Sequence, residues 1–352
     1  MIREAVRGFF PGYFALVMAT GIVSLAAHFC GHEGIASVLL WINVAAYAVI
    51  WAITLVRVAL YPGAVRADLF KHAMGASFLS TVAATCVLGS QLVILRSAHA
   101  AGFDLWLLGL ALWCVLIYAF FGAMTIAETK PPLETGINGA WLLAVVSTES
   151  LSVLGTLVAS GRPNPEAVLF CALVAYLMGA MLYVLLMSLI LYRWLFFSLA
   201  ADKMTPPYWI NMGALAITTL AGARLLLASE PWPFLGRLAV FLEGFTLFFW
   251  ATATWWIPLL LVLGFWRHVL QRVPIVYDPQ YWSLVFPLGM YTVATFMLAK
   301  ATGLMMLAAI PRLVFYPALL AWLLTFVGTL RALAGVLLPQ GPFFAGAGRR
   351  AS

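Results

Sequence analysis

Ten apolar segments of membrane-spanning length follow one another along this chain, with short polar connectors between them. A helix needs about 20 apolar residues to cross roughly 30 Å of hydrocarbon, and its backbone must satisfy its own hydrogen bonds there. Only 9% of the 352 residues are charged, compared with about 25% in soluble proteins. We therefore predict an all-α integral membrane protein with ten transmembrane helices. The predicted spans are 10–29, 35–60, 73–95, 103–126, 137–160, 166–195, 206–228, 234–266, 281–306 and 314–339.

The basic residues predict how these helices are oriented. We expect one transmembrane domain over residues 1–352, with short cytoplasmic tails at 1–9 and 340–352. Placing the N-terminus in the cytoplasm puts thirteen of the 19 basic residues on the inner side, as the positive-inside rule requires. Both termini are then cytoplasmic, in a multi-pass protein of the plasma membrane (the inner membrane of a bacterium). The six outer basic residues are Arg96, Arg162, Arg224, Arg237, Lys300 and Arg312.

The start MIREAVRGFFPGYF and the overall charge each allow a second interpretation. A charged start resembles a signal peptide, but the segment that follows has membrane length and no convincing small-residue cleavage site, so we predict a retained first helix. A net charge of +7 could suggest nucleic acid. The basic residues are scattered over connectors, however, so we expect contact with membrane lipid and no nucleic-acid partner.

Alternate segments share a style of opening that indicates an internal repeat. The openings are PGYFALVMATG at 11, MGASFLSTVAAT at 74, NGAWLLAVVSTES at 138, NMGALAITTLAG at 211 and PLGMYTVATF at 287. Small residues in one membrane helix usually serve only close packing. Because the pattern recurs five times, we predict five helical hairpins, with the odd helices in a quasi-five-fold inner ring around a central pore and the bulkier even helices facing lipid.

Charged residues at membrane depth are costly, so each one is a candidate functional residue. Arg224 and Lys300 occupy the same position of the repeat on two odd helices, and a glycine lies eleven residues before each of them. A cationic layer above a narrow apolar lumen would attract anions without holding them tightly. The alternative is that these long side chains extend to the lipid headgroups, as we expect for Arg57 and Arg331. The predicted anion-pathway residues are Gly21, Ser24, Gly213, Arg224, Gly289 and Lys300.

Two acidic residues also fall inside apolar segments. Glu149 lies near the middle of an odd helix, so it must be protonated or paired with a cation such as Arg224 or Lys300. This position makes it a candidate for proton coupling. Glu243 lies on an even helix, where we expect a structural ion pair.

The motif HFCGHE is the one local group of possible metal ligands, and it contains His28, Cys30, His32 and Glu33. A metal site needs converging side chains, but Gly31 is expected to end the helix between the two histidines. The four cysteines of the chain show no paired spacing. We predict structural thiols, no metal, no cofactor and no enzyme active site.

Three motifs resemble one family of transporters. FFPGYFALVMATGIVS, TWWIPLLLVLGFWRH and YWSLVFPLGMYTVAT are similar to segments of the tellurite-resistance/C4-dicarboxylate transporter (TDT) family, which includes a bacterial tellurite-resistance protein, fungal malate permease and sulfite pump, and the plant slow anion channel. The resemblance implies ten helices in five hairpins, a homotrimer, and transport of small inorganic anions or dicarboxylates. The function it implies is a gated anion channel or, alternatively, a proton-coupled carrier of malate or sulfite.

The resemblance also implies a gate on the ninth helix. A phenylalanine of the Phe-Pro motif plugs the pore in this family, and the matching residue here is Phe286. Pro287 removes a backbone donor and kinks the helix, which can direct Phe286 into the lumen. On an ideal helix Thr295 faces away from Phe286, so we do not expect it to contact the ion.

Overall fold

The computed structural model describes residues 2–230 and 232–337, and within these ranges the chain is helical without any strand. The ten predicted membrane helices are confirmed. The predicted tail at 340–352 lies outside the described residues, and the predicted tail at 1–9 contains a short helix, Ile2–Arg7. The long helices are α1 Pro11–Phe29, α2 Glu33–Leu60, α3 Gly75–Arg96, α4 His99–Ile126, α5 Gly139–Ala159, α6 Glu166–Phe196, α7 Pro206–Leu227, α8 Ala239–Leu270, α9 Pro279–Thr302 and α10 Met305–Gly335.

Odd and even helices differ in burial. In the most apolar window of each odd helix, between 78% and 100% of the residues are buried, compared with 22% to 50% in the even helices. Large apolar side chains such as Trp41 on α2 and Tyr118 on α4 are exposed. Since exposed apolar side chains of a membrane helix face hydrocarbon, the even helices form the lipid-facing layer and the odd helices form the core.

The five odd helices pack in a closed cycle. Helix α1 contacts α3, α3 contacts α5, α5 contacts α7, α7 contacts α9, and α9 returns to α1. Each odd helix also packs extensively against the next even helix in the chain. These contacts are the ones that five hairpins would make, while the quasi-five-fold symmetry itself stays a prediction.

Each odd helix opens with a 3₁₀ turn. The first three turns coincide with the shared openings in the sequence, whereas the openings at 211 and 287 lie inside α7 and α9, after their turns. The turns contact one another in the same cyclic order as the helices that they begin. Prolines start three of them, where a missing N–H costs nothing. In the turn Gly139–Leu142, which has no proline, the Asn138 side chain accepts a hydrogen bond from the Ala140 N–H at 2.9 Å. The turns are Pro11–Tyr13, Gly75–Leu79, Gly139–Leu142, Pro206–Trp209 and Pro279–Tyr281.

An ion pair links the C-terminal end of α2 to the connecting segment that follows it. We predicted that Arg57 extends to the headgroups, but it is only 3% exposed and pairs with Asp68, which lies in the connecting helix Pro62–Leu69. Its Nε also donates to the Arg7 carbonyl at 3.0 Å. Burial by itself would raise the pKa of the Asp68 carboxyl, but the hydrogen bonds and charges of Lys71 and Arg57 outweigh it and lower that pKa.

Candidate functional site

A small cavity lies at the centre of the ring of odd helices. Its volume is about 20 Å³, which is room for about one water molecule. No charged side chain lines it, and the lining is apolar apart from two serines and a cysteine. All five odd helices contribute lining residues, which are Ile22, Leu25, Cys86, Val87, Ser90, Ser150, Val153, Ile217, Leu220 and Met290. The ring therefore encloses a lumen that is nearly closed at this level.

The two neighbours of α9 determine which of its faces points toward this lumen. Pro287 packs against α7 at Gly213, where an added Cβ would lie 2.7 Å from the proline Cγ. Gly289 packs against α1, where an added Cβ would lie 2.9 Å from Ile22 Cγ2. Met290 lines the central cavity. Phe286 precedes Met290 by four residues and therefore shares its helix face, and it is only 1% exposed.

The opposite face of α9 is tied to α8. Trp250 Nε1 donates a hydrogen bond to Thr295 Oγ1 at 3.0 Å, and the hydroxyls of Thr254 and Tyr291 lie 2.7 Å apart. Thr295 therefore faces the outer layer, as its helical position relative to Phe286 predicted. These bonds fix the rotation of α9 about its own axis.

The small residues predicted for the anion pathway contact other helices in the described conformation. Ser24 donates its hydroxyl to the Ala36 carbonyl of α2 at 2.7 Å. At Gly21 an added Cβ would lie 2.9 Å from Asn43 Nδ2, which belongs to a buried amide pair between α2 and α3. Neither residue lines the central cavity. Gly213 and Gly289 likewise occupy helix contacts, because close approach of helices in a membrane requires small residues there.

The structure does not bring the two predicted cations together. Lys300 is exposed at the end of α9. Arg224 lies one turn beyond Leu220 and lines a separate pocket at the C-terminal ends of α5 and α7, of which Lys300 is not part. Arg224 and Lys300 do not share a pocket, and a cationic layer made by both residues stays a prediction.

Glu149 is completely buried and points away from the lumen. An added Cβ at Gly179 of α6 would meet its carboxyl group, so the side chain lies between α5 and the outer layer. Neither carboxylate oxygen has a hydrogen-bond partner. Within residues 2–230 and 232–337 no cation pairs with it, so neither Arg224 nor Lys300 is its partner. Burial of an unpaired charge is very costly, and the geometry therefore favours the protonated acid.

The remaining candidates are Glu243 and the possible metal ligands of the HFCGHE motif. Glu243 is exposed on α8, and across the described part of the chain it has no ion-pair partner, so the expected structural pair is not seen. His28 Nδ1 lies 2.8 Å from Glu33 Oε1, and the ring of His32 stacks on Phe315 instead. Gly31, with φ +86°, separates the two histidines between α1 and α2, as predicted.

Several lining residues escaped the sequence interpretation. Cys86 and Ser90 on α3, Ser150 on α5 and Met290 on α9 all face the cavity. The spacing of four residues between Cys86 and Ser90, and between Phe286 and Met290, was the available signal. It is weak because odd helices are buried on every side, and no polar face separates lumen from packing.

A closed ring of inner helices around a narrow lumen, shielded from lipid by an outer layer, defines a membrane transport protein. A sequence model of the voltage-dependent anion channel family matches residues 8–330. The chain therefore belongs to this family, and the predicted resemblance to the TDT transporters is confirmed.

The relatives fit this assignment. The chain is 40% identical over 161 residues to an uncharacterized membrane protein of Mycobacterium tuberculosis, covering 46% of this chain and 81% of that protein. It is 22% identical over 340 residues to an uncharacterized transporter of Methanocaldococcus jannaschii, covering 94% and 96%. A sulfite efflux pump of Arthroderma benhamiae is 27% identical over 323 residues, covering 84% and 83%. The protein is a multi-pass membrane protein of an anion transport family. Two of these three relatives carry the names of transporters, and the first is named only as a membrane protein.

Proposed function

We propose that this protein conducts small anions through the interior of its inner helix ring, and that Phe286 closes the pathway in the described conformation. The observation that carries the proposal is the central cavity, which all five odd helices line but which holds only about 20 Å³. Phe286 lies on the cavity-facing side of α9, one turn before Met290. Its large rigid ring is suited to obstruct a lumen of this width.

The lining of the cavity favours a channel-like pathway. Apolar side chains and a few hydroxyls bind a desolvated anion weakly, so the anion can leave as readily as it enters. Small inorganic anions fit this narrow route better than dicarboxylates do. Sulfite enters as a candidate because relatives at 27–28% identity carry the name sulfite efflux pump.

A flux assay tests this function. The purified protein in liposomes should pass chloride, nitrate or sulfite at a rate above that of protein-free liposomes, following the electrochemical gradient of the anion. Malate in the same panel tests the dicarboxylate alternative. Absence of flux for all four anions in Phe286→Ala as well as in the unsubstituted protein, in preparations that retain the thermal stability of the purified protein, would overturn the proposal.

The second candidate is a proton-coupled carrier, and the buried, unpaired carboxyl of Glu149 is what favours it. In a carrier, Glu149→Gln should abolish uptake driven by a pH gradient while substrate exchange continues, since exchange moves no net proton. In the channel-like pathway that we favour, Glu149→Gln leaves gradient-driven flux within about twofold of the original rate, because the side chain points away from the lumen. Glu243→Gln, which changes an exposed carboxyl on α8, is the matched control.

Orientation, assembly and location complete the proposal. The charge distribution supports two cytoplasmic termini, which places the ring of 3₁₀ turns on the inner side of a plasma membrane. The family resemblance supports a homotrimer that is formed through the lipid-facing even helices. The mass of the detergent-solubilised complex distinguishes a trimer from a monomer.

A further inference from the structure

A second cavity lies at the end of the ring opposite the 3₁₀ turns. It has a volume of about 380 Å³ and lies among the end of α5, the start of α6 and the end of α7. It is therefore far larger than the central cavity and can hold a polyatomic ion with water. Two arginines, Arg162 and Arg224, line it.

Arg224 is partly buried, and no protein group within residues 2–230 and 232–337 pairs with its side chain. Its Nε makes no hydrogen bond, and among residues 2–230 and 232–337 the guanidinium forms neither an ion pair nor any other hydrogen bond. A guanidinium carries five N–H donors and stays charged in proteins. The buried Nε–H of Arg224 lacks an acceptor, and its guanidinium lines the pocket, so an anion bound there would supply the partner that the protein does not.

Arg162 is the second cation of the pocket, and its position is held by an aromatic ring. Its Cζ lies 3.6 Å above the centre of the Phe103 ring, in a stacked cation–π contact. Stacking uses the face of the guanidinium and leaves the N–H donors in its plane available. One acid, Glu230, also lines the pocket, but it is exposed and lies outside ion-pairing distance of both arginines.

We propose that this pocket binds, through Arg224 and Arg162, an oxyanion group in which two or more oxygens share the negative charge. The planar fork of a guanidinium matches two oxygens of such a group with parallel hydrogen bonds, which a single halide ion cannot accept. The pocket therefore prefers oxyanions to chloride. A free ion such as sulfite and the phosphate of a lipid headgroup share this chemistry. For a free ion, the assignment rests on the proposed anion pathway and makes the pocket its outer entry site.

Equilibrium binding of radiolabelled sulfate to the purified protein in detergent tests the assignment without requiring transport. Sulfate binding should resist chloride at equal ionic strength. Arg224→Gln should weaken sulfate affinity by about 30-fold or more, and exposed Arg162→Gln by about two- to fivefold. Arg224→Lys keeps the charge but lacks the fork, so it should lose most of the preference for sulfate over chloride.

Arg237→Gln is the matched control, because Arg237 also stacks on a phenylalanine, Phe234, at 5.5 Å but lies outside the pocket. Its sulfate affinity should be unchanged. Glu230→Gln should tighten binding, since it removes a negative charge from the rim. If the Arg162 and Arg237 substitutions have equal effects, or if chloride displaces sulfate at equal concentration, the assignment fails even where anion flux is observed.

Competition with phosphatidylglycerol, and its retention during purification, distinguish the two possible sources of the oxyanion. If sulfate binds the delipidated protein and phosphatidylglycerol does not compete, the ligand is a free ion. If phosphatidylglycerol is retained through purification by the unsubstituted protein and lost from Arg224→Gln, and displaces sulfate, the ligand is a lipid headgroup. Either result supports the pocket as an oxyanion site, and retention of lipid at this site would remove it from the transport route.

Discussion

At the scale of single residues, glycines determine how closely the inner helices approach. The ring of Pro287 packs directly against Gly213, and two side chains of α1 pack against Gly289. A rigid proline ring cannot move aside as a flexible side-chain end can. These contacts hold α9 on both flanks and thereby hold Phe286 on the inner face.

Gly213→Ala should therefore destabilise the protein. The new Cβ would lie 2.7 Å from Pro287 Cγ and 3.3 Å from its Cα, so α7 and α9 must separate, at a cost of about 1–3 kcal/mol. Thermal unfolding in detergent measures the loss. Gly244→Ala on α8 is the control, because no atom lies within 4 Å of a Cβ there and alanine favours helices. Equal stability of the two variants would show that the contact between α7 and α9 is loose.

At the scale of the helix, one face of α9 points toward the cavity and another face is hydrogen-bonded to α8. Its inner face carries Phe286 and Met290, and its outer face is bonded to α8 through Tyr291 and Thr295. Pro287 lies within the helix directly after Phe286, where it removes one backbone hydrogen-bond donor. The orientation of the inner face depends on these outer bonds.

Thr295→Val should cost stability without changing selectivity. Valine keeps the shape but leaves the Trp250 N–H without its acceptor, at a cost of about 0.5–1.5 kcal/mol. We expect a lower unfolding temperature and an unchanged order of anion permeation in liposomes. A changed anion order at unchanged stability would mean that Thr295 contacts the permeating ion, contrary to its outward position.

The ten helices were predictable from the sequence, whereas the side of each helix that points toward the lumen was not. Membrane length and hydropathy alone determine ten spans, and small residues in alternate spans reveal which ones are crowded. The same small residues do not distinguish a pathway from close packing of helices. Ser24 and Gly21 occur in odd helices that are buried on all sides, so sequence could not tell a lumen face from a helix contact. The pocket of Arg224 and Arg162 joins the ends of three helices, which spacing along one helix cannot show.

At the scale of the whole molecule, an outer layer excludes lipid from an inner ring that encloses a narrow lumen. Among the described residues, the charged side chains lie in the connectors or near the ends of the helices, apart from the buried Glu149, while the middle of the ring is apolar. Anions would meet basic residues before the constriction and apolar residues within it. A barrier in the middle of such a route sets the rate of passage.

The measurement that tests this account most directly is anion flux through Phe286→Ala in liposomes. Removing the ring should raise flux about tenfold or more, which corresponds to about 1.4 kcal/mol of barrier, with assembly and expression nearly unchanged. Phe249→Ala is the control, since Phe249 is just as buried but lies on α8 against Tyr183 of α6, and it should lose stability without gaining flux. Unchanged flux in Phe286→Ala together with a loss of folding would show that Phe286 is a packing residue, and would contradict a pathway that Phe286 closes.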